Sequence, residues 1–207
     1  MTLKYAVLAL TSLTLSSAAT AQMDFAKVEI KAETLAPGVS VLFGAGGNIG
    51  VSHGADGTIL IDDQFAPLSE KLVAAIRTIS NKPIRMLVNT HIHGDHTGGN
   101  ANFGGMGVDI IAHDNVRVRL ARGLNGGAPA PAVALPVVTF GDTMSLHLNG
   151  ETLTVAKLPP AHTDGDSYIK FANADVIHAG DVFRTVGYPG VDFGNGGTVR
   201  GTIEALQ

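Results

Sequence analysis

The stretch "NTHIHGDHTGGN", residues 89–100, concentrates the side chains that bind metal ions in proteins. It holds three of the chain's eight histidines and one aspartate within six positions. His91 and His93 bracket one residue, so on an extended segment their rings point to the same side and can hold one ion through neutral imidazole nitrogens. Asp95 and His96 follow across a tight turn, which favours a second ion beside the first. Hydrolytic metal pairs lie about 3.5 to 4 Å apart.

The flanking sequence places this cluster in a loop of an α/β fold. Apolar runs predict strands over residues 39–43, 49–53, 58–62, 84–89 and 108–112. A helix is predicted from Pro67 to Ile79 and another after Asp114 as its N-cap. The cluster comes directly after one of these strands, and open α/β sheets place ligands at the carboxyl ends of their strands. Beyond Met144 the apolar residues recur with a period of two, which predicts a second half rich in strands.

Length and charge narrow the class of protein. The 207 residues are 45% hydrophobic, which is enough for the core of one domain, and no linker or repeat divides them. The net charge is −4, and no run of basic residues is present. A nucleic-acid partner is therefore not expected, because phosphate binding needs clustered lysine and arginine.

The N-terminus has the pattern of a secretory signal peptide. Lys4 supplies a positive charge, Tyr5–Leu15 is apolar, and small residues end in the cleavage pattern Ala19–Ala21. The interpretation is a signal peptide over residues 1–21 and a single domain over 22–207, with a periplasmic or secreted product and no stable membrane anchor. A retained N-terminal anchor is the alternative, although the apolar stretch is short for a bilayer.

Two later residues are further candidate ligands. His162, in "LPPAHTDGDSY", follows a predicted strand and two prolines that restrict the backbone. Asp181, in "VIHAGDVF", follows the strand predicted over residues 176–179. Such residues are ordinarily solvated turn residues or caps, but beside a metal cluster the ligand interpretation is favoured. Four other histidines are interpreted as structural: His53, His113, His147 and His178.

Four motifs in this order resemble the metallo-beta-lactamase superfamily. They are "GGNIGVSHGADGTILIDD", "THIHGDHTGG", "AHTDGDS" and "GDVF", and the resemblance covers roughly residues 39–183. The second motif is highly specific, whereas the others add mainly their order and spacing. The resemblance implies a four-layer αββα sandwich with a metal site along one edge.

The resemblance also implies a set of ligands. His91, His93 and His162 would hold the first ion. Asp95 and His96 would contribute to the second ion, and Asp181 would bridge the two. Asp62 resembles the acid that orients a ligand imidazole from behind, a role that metal-binding histidines commonly require.

The sequence departs from the family pattern in two places. No cysteine is present, unlike the beta-lactamase subclasses whose second zinc has a thiolate ligand. The last histidine that usually serves the second ion is also missing before Gln207, so the fold is expected to be incomplete at its C-terminus and the second ion to be held more weakly. An incomplete sandwich would expose apolar surface, which predicts a homodimer or poor solubility.

The ligand types predict hydrolysis of a small-molecule substrate. Zinc lowers the pKa of bound water toward about 7, so one or two Zn²⁺ ions would supply hydroxide to cleave an ester, thioester, lactone or amide, beta-lactams included. Asp95 is the candidate catalytic residue, passing a proton to the leaving group. The alternatives are an iron-dependent oxidoreductase of the same fold, since these ligands also suit iron, and an inactive metal-binding remnant.

Overall fold

The computed structural model describes residues 23–207, which form two β-sheets packed face to face with helices around them. The predicted signal peptide, residues 1–21, lies outside the described residues. Within residues 23–207, none of the helices has the length and apolar character needed to span a membrane.

The first sheet contains seven strands whose order across the sheet is also their order along the chain. Its strands are β1 (Lys31–Ala36), β2 (Val39–Phe43), β3 (Ile49–Gly54), β4 (Gly57–Ile61), β5 (Ile84–Asn89), β6 (Asp109–His113) and β7 (Val138–Phe140). Strands β1 to β4 pair antiparallel, and β4 to β7 pair parallel. The predicted strands of this half are all present, whereas β1 and β7 were not predicted.

The second sheet has four antiparallel strands in the order β11-β10-β9-β8. They are β8 (Thr143–Leu148), β9 (Glu151–Lys157), β10 (Ser167–Phe171) and β11 (Val176–His178). Asn149 and Gly150 both have positive φ in the turn between β8 and β9, as a two-residue hairpin requires.

Among the described residues, five α-helices accompany the sheets: α1 (Ser69–Ile79), α2 (Gly94–Thr97), α3 (Asn100–Gly105), α4 (Asp114–Arg122) and α5 (Val199–Ala205). The predicted N-cap of α4 was wrong by one residue. His113 is the cap, because its Nδ1 accepts a hydrogen bond from the backbone N–H of Asn115. At the other end of the chain, Thr198 caps α5 and donates its hydroxyl proton to the carbonyl of Pro160.

Two apolar clusters confirm the layered α/β architecture. Between the sheets, side chains such as Ile59 and Val88 of the first sheet meet Val155 and Phe171 of the second. On its other face the first sheet packs against α1 and α3, where Phe103 is fully buried. Strands of the first sheet therefore carry apolar side chains on both faces, as expected for a sheet covered on both sides.

The ends of several strands meet at one edge of the sandwich. Asp62 follows β4 and His91 follows β5, and these two strands are parallel neighbours. From the second sheet, His162 lies in the loop after β9 and Asp181 in the 3-10 turn after β11. The topology thus collects residues from distant parts of the sequence at a single place.

Candidate metal centre

Three histidine rings converge at this edge. Nδ1 of His93 lies 2.8 Å from Nε2 of His162 and 3.2 Å from Nε2 of His91. One ring nitrogen of each residue falls within 4.8 Å of the other two, which makes the three a candidate metal-binding group, called here the first group. The structure therefore brings together the three histidines that the sequence assigned to one ion.

The outward nitrogen of each ring has a hydrogen-bond acceptor that defines its tautomer. Nδ1 of His162 faces the carbonyl oxygen of Gly190 at 2.8 Å, and Nε2 of His93 faces Oδ2 of Asp192 at 2.8 Å. Neither oxygen can donate, so in the neutral form of each ring the outward nitrogen carries the proton and the inward nitrogen presents a lone pair.

The third ring follows the same logic through Thr90. The hydroxyl of Thr90 donates to Oδ2 of Asp62 at 2.8 Å and lies 3.0 Å from Nδ1 of His91. Since its proton is directed at Asp62, the hydroxyl accepts from His91, whose Nε2 then also presents a lone pair inward. Burial lowers the pKa of His91 well below its usual value, and charge on the neighbouring histidines lowers it further, so this ring is neutral.

Three inward lone pairs at such distances repel one another unless a cation lies between them. Neutral imidazoles held by outward hydrogen bonds are the ligand form that zinc takes in proteins. The donor set of the first group therefore fits a metal ion.

A second candidate group adjoins the first and shares His91 with it. It consists of His91, His96 and Asp181, whose ligand atoms lie within 4.8 Å of one another. Nε2 of His96 is 3.2 Å from Oδ1 of Asp181, and the other carboxylate oxygen of Asp181 is 3.8 Å from Nε2 of His162. Asp181 thus lies between the two groups, at the position expected of a bridging carboxylate.

Asp62 holds the ring of His96 from behind. Its buried carboxylate accepts from the backbone N–H of Thr90 at 2.7 Å, and Oδ2 lies 2.7 Å from Nδ1 of His96. Burial opposes a charge on His96, but the charge of Asp62 and the contacts with Asp181 and Asp62 raise its pKa to about 10. The carboxylates of Asp62 and Asp181 therefore favour a positive charge at His96, whether that charge is a proton or a metal ion.

The inward nitrogen of His96 supports the metal interpretation. Its Nε2 is buried and has no partner with hydrogen-bond geometry in the part of the chain that the structure describes. Buried polar atoms are seldom left without a partner, so an orphan of this kind calls for an explanation. A metal ligand would be satisfied by its ion.

Asp95 lies beside the second group rather than within it. Its Oδ2 is 3.6 Å from Nε2 of His96, and its side chain is 27% exposed. The sequence assigned Asp95 both to the second ion and to catalysis. The position is compatible with either role, and both stay predictions.

The loop that contains Gly46 and Gly47 packs its backbone directly against His96 and Asp95. A Cβ atom on Gly47 would lie 2.2 Å from Cε1 of His96, and one on Gly46 would lie 2.5 Å from Cβ of Asp95. Cβ atoms essentially never make contacts under 3.0 Å, so a side chain at either position would force the loop or the candidate ligand beside it to shift. Close approach of the backbone to the candidate ligands thus explains two of the glycines in "FGAGGNIG", Gly46 and Gly47.

The four histidines interpreted as structural contact ordinary partners. His53 lies near Ser40, His113 near the carbonyl of Gly141, and His147 near Thr152. Nε2 of His178 lies 3.1 Å from the carbonyl oxygen of Asn48. His178 is the last residue of β11, and it lines the same cavity as Asp181.

Asp192 is a site residue that sequence reasoning missed. It lies in "YPGVDFGN", outside every motif, and contacts a histidine 99 positions earlier in the chain. A hydrogen bond from the side chain of Asn195, together with the contact to His93, lowers the pKa of Asp192 to about 2 against the effect of burial. No periodicity or spacing marks this residue, so only the fold could reveal its contact.

A cavity of about 790 Å³ opens beside the second group. Asp95, His96 and Asp181 line one part of its wall, and apolar side chains that include Val41 and Phe171 line another. Candidate ligands and apolar surface therefore share one space large enough for a small molecule.

Comparison with known proteins defines the class. A family model described as the metallo-beta-lactamase superfamily matches residues 42–207. The chain therefore belongs to the metallo-beta-lactamase superfamily, and the predicted fold is confirmed.

Two curated relatives match parts of this chain. The chain is similar to a hydroxyacylglutathione hydrolase of a Polaromonas species, with 31% identity over 56% of this chain and 46% of the relative. It is also similar to the alpha subunit of a 2,4-dinitroanisole O-demethylase of a Nocardioides species, with 26% identity over 64% of this chain and 40% of the relative. The chain thus spans about half the length, or less, of these curated relatives.

A solved structure agrees with the assignment. A metallo-beta-lactamase with an HARLDQ motif from Cronobacter sakazakii superposes with a TM-score of 0.65 and 28% identity. The match covers 78% of this chain and 66% of that one. The members matched here are named for different reactions, so membership alone does not define a substrate.

Proposed function

We propose that the protein is a zinc-dependent hydrolase that cleaves an acyl bond of a small molecule. The observation that carries this proposal is the set of three inward lone pairs in the first group, whose outward nitrogens are all held by acceptors. Such pre-organised imidazoles are the ligands of catalytic zinc sites, in which three protein ligands leave a position for water or substrate.

The residues around the metal centre support hydrolysis. A zinc ion held by His91, His93 and His162 would act as a Lewis acid and would lower the pKa of water at the site. Asp181 offers negative charge between the two groups, and the cavity beside it admits substrate. Three imidazole ligands and one carboxylate also suit iron, so the metal must be identified directly.

Acyl substrates are favoured by one relative. The hydroxyacylglutathione hydrolase is named for the hydrolysis of a glutathione derivative, and it shares 31% identity with this chain over the matched region. We extend the chemistry of an acyl thioester to this chain as a proposal. Esters, lactones and beta-lactams are the other members of the same substrate class.

The test is turnover by protein loaded with a defined metal. The zinc-loaded chain, the iron-loaded chain and the chelator-treated chain would each be offered a thioester, a p-nitrophenyl ester, a lactone and a beta-lactam. We expect hydrolysis only with zinc. His162→Ala should lose it, whereas the matched control His147→Ala, an exposed histidine of β8, should keep it.

Each other outcome has a defined meaning. Oxygen-dependent chemistry confined to the iron-loaded chain would replace the proposal with the oxidoreductase. Tight zinc binding without turnover of any acyl substrate would favour the inactive metal-binding remnant.

Asp95 is proposed to carry the proton to the leaving group, because its partly exposed carboxylate lies beside His96 and lines the cavity. Asp95→Asn should lower kcat by about 10²-fold, the usual scale of general acid catalysis. Metal content would be measured on the same sample by elemental analysis. Full activity with the metal still bound would remove this role.

We also propose that the protein is exported and that it forms a homodimer. Sequencing of the secreted product should find an N-terminus at Gln22, and an intact Met1 in the membrane fraction would contradict cleavage. Exposed apolar side chains beside the cavity, among them Ile177 and Phe183, support a homodimer. Monomeric elution from size-exclusion chromatography at high concentration would contradict it.

A further inference from the structure

A chain of hydrogen bonds runs from helix α4 to a ring of the first group. Nη1 of Arg119 donates to Oδ1 of Asn195 at 3.2 Å, and Nδ2 of Asn195 donates to Oδ2 of Asp192 at 2.6 Å. The same oxygen of Asp192 lies 2.8 Å from Nε2 of His93. Four residues from three parts of the chain are thereby connected.

The guanidinium of Arg119 is itself held in place. Its Nε and Nη2 donate to the two carboxylate oxygens of Asp164 at 2.8 and 2.6 Å, a bidentate pair. This bidentate pair leaves Nη1 of Arg119 directed at Oδ1 of Asn195. A planar guanidinium can satisfy both partners at once, whereas an ammonium cannot reproduce this geometry.

Arg119 determines which way the buried amide of Asn195 faces. With its oxygen on the guanidinium, the amide must direct its nitrogen at Asp192. The carboxylate of Asp192 also accepts from the backbone N–H of Asn195 at 3.0 Å, so its position is defined from two sides. The orientation of Asp192 in turn keeps the proton of His93 on Nε2 and the lone pair on Nδ1.

We propose that Arg119 is a positioning residue for the metal centre, acting through Asn195 and Asp192 to fix the ring of His93. The inference rests on the proposed metal centre but not on the nature of the substrate. Hydrogen-bond partners of ligand histidines typically change metal affinity by about 10- to 100-fold when removed. Arg119 lies two residues further from the ring, so we expect the lower end of that range.

Three variants separate positioning from simple stabilisation. Arg119→Met removes every hydrogen bond of the guanidinium. Arg119→Lys keeps a positive charge beside Asp164 but cannot hold the amide of Asn195 as well. Arg122→Met is the matched control, because Arg122 lies on the same helix and makes no hydrogen bond to Asp164 or Asn195 among the described residues.

The first measurement is zinc affinity by competition with a chromophoric chelator. We expect affinity about tenfold weaker in Arg119→Met, with Arg122→Met unchanged. Thermal unfolding of the zinc-free chain would be followed in parallel. Arg119→Lys should recover the unfolding temperature without recovering the affinity, whereas equal recovery of both would mean that the residue is only structural.

Asn195→Ala tests the route of the coupling. If Arg119 acts through Asn195, Asn195→Ala should weaken affinity by at least as much. The double variant should then show no additional loss, since residues of one network are not additive. Additive losses would overturn the proposed route.

A second readout does not require metal or turnover. Long-range ¹H–¹⁵N spectra report the tautomer of His93, which we expect to be Nε2-protonated in the native chain and mixed in Arg119→Met. An unchanged tautomer together with unchanged affinity would refute the proposal. Failure of every acyl substrate would refute the proposed hydrolase alone, because neither readout depends on hydrolysis.

Discussion

The two candidate groups share His91 but are constructed differently. In the first group all three ligands are imidazoles, and each has its outward nitrogen on a fixed acceptor. In the second group Asp62 holds His96 in this way and Thr90 holds the shared His91, but the third member, Asp181, is a carboxylate. The side chain of Asp181 is 31% exposed, that of the adjacent Asp95 is 27% exposed, and both line the cavity.

This difference indicates how affinity is divided between the groups. A ligand that is already oriented loses little conformational freedom when an ion binds, whereas a partly exposed carboxylate must be ordered and desolvated. The first group should therefore bind its ion tightly, and the second should bind more weakly and respond more to substrate.

The largest expected effect comes from a ligand of the first group. His162→Ala removes one of three imidazoles, and we expect zinc to bind at least about 100-fold more weakly to that group, since an effect of this size already follows loss of a hydrogen-bond partner. The measurement is a zinc titration against a chelator. His147→Ala should titrate like the native chain. Tight zinc binding by His162→Ala would contradict the proposal that the three imidazoles of the first group hold the ion.

Asp62→Asn tests how far the second group depends on its support. The carboxylate accepts from two groups of Thr90 and from His96, and an amide offers only one acceptor oxygen. We expect a loss of about 2 to 3 kcal/mol in the free energy of unfolding, because buried donors lose a charged partner. The positive φ of Asp62, 66°, is tolerated by asparagine, so backbone strain does not contribute.

The control for this variant is Asp142→Asn on the exposed turn before β8. Urea denaturation of the metal-free proteins should separate the two. An equal, small effect at both positions would show that Asp62 does not support His96.

Asp181→Asn is expected to weaken metal binding to the second group while leaving binding to the first group almost unchanged. It removes a charge 3.2 Å from Nε2 of His96 but leaves the outward hydrogen bonds of the first group intact. We expect about tenfold weaker binding of a second ion and little change in the first. Isothermal titration should then show one binding phase unchanged, and loss of both phases would mean that the groups cannot be treated separately.

The smallest effect is predicted at Glu151, which holds the turn leading into β11 and hence toward Asp181. Its carboxylate accepts from the backbone N–H groups of Asn173 and Ala174 at 2.8 and 2.9 Å. Burial raises the pKa of Glu151, but these hydrogen bonds and the one from Thr152 outweigh it, so the pKa is lowered.

A lowered carboxyl pKa stabilises the fold above the unfolded value, and this contribution disappears as the pH falls through the folded value. Glu151→Gln should therefore cost about 1 kcal/mol at pH 7 and progressively less in acid. Thermal unfolding across that range measures the difference. Glu33→Gln, at an exposed position of β1, should show no such pH dependence.

The sequence marked the candidate ligands more clearly than it marked their hydrogen-bond partners, and the ligand roles stay predictions. Residues 91–96, His162 and Asp181 are marked by residue type and spacing, and strand ends placed them at one edge. Asp62 was found through the family resemblance. The short helices α2 and α3 were not predicted, because glycines at positions 94, 98, 99, 104 and 105 obscure any helical pattern. Strand β1 was missed because most of its residues are exposed.

The hydrogen-bond partners of the ligands could not be predicted at all. Asp192, Asn195 and Arg119 belong to segments with no motif, and each is an ordinary polar residue until the fold brings them together. Sequence periodicity reports which face of an element is buried. It contains no information on contacts between segments that lie far apart in the chain.

The distance along the chain between His93 and His162 has a consequence for handling the protein. An ion held by both would close a loop of 69 residues, as a disulfide does in chains that contain cysteine. In the chain-entropy model, closing a loop of this length lowers the conformational entropy of the unfolded chain and raises its free energy by about 4 kcal/mol. A chelator would then act on this protein as a reductant acts on a disulfide-linked one, making it easier to unfold and to digest with proteases.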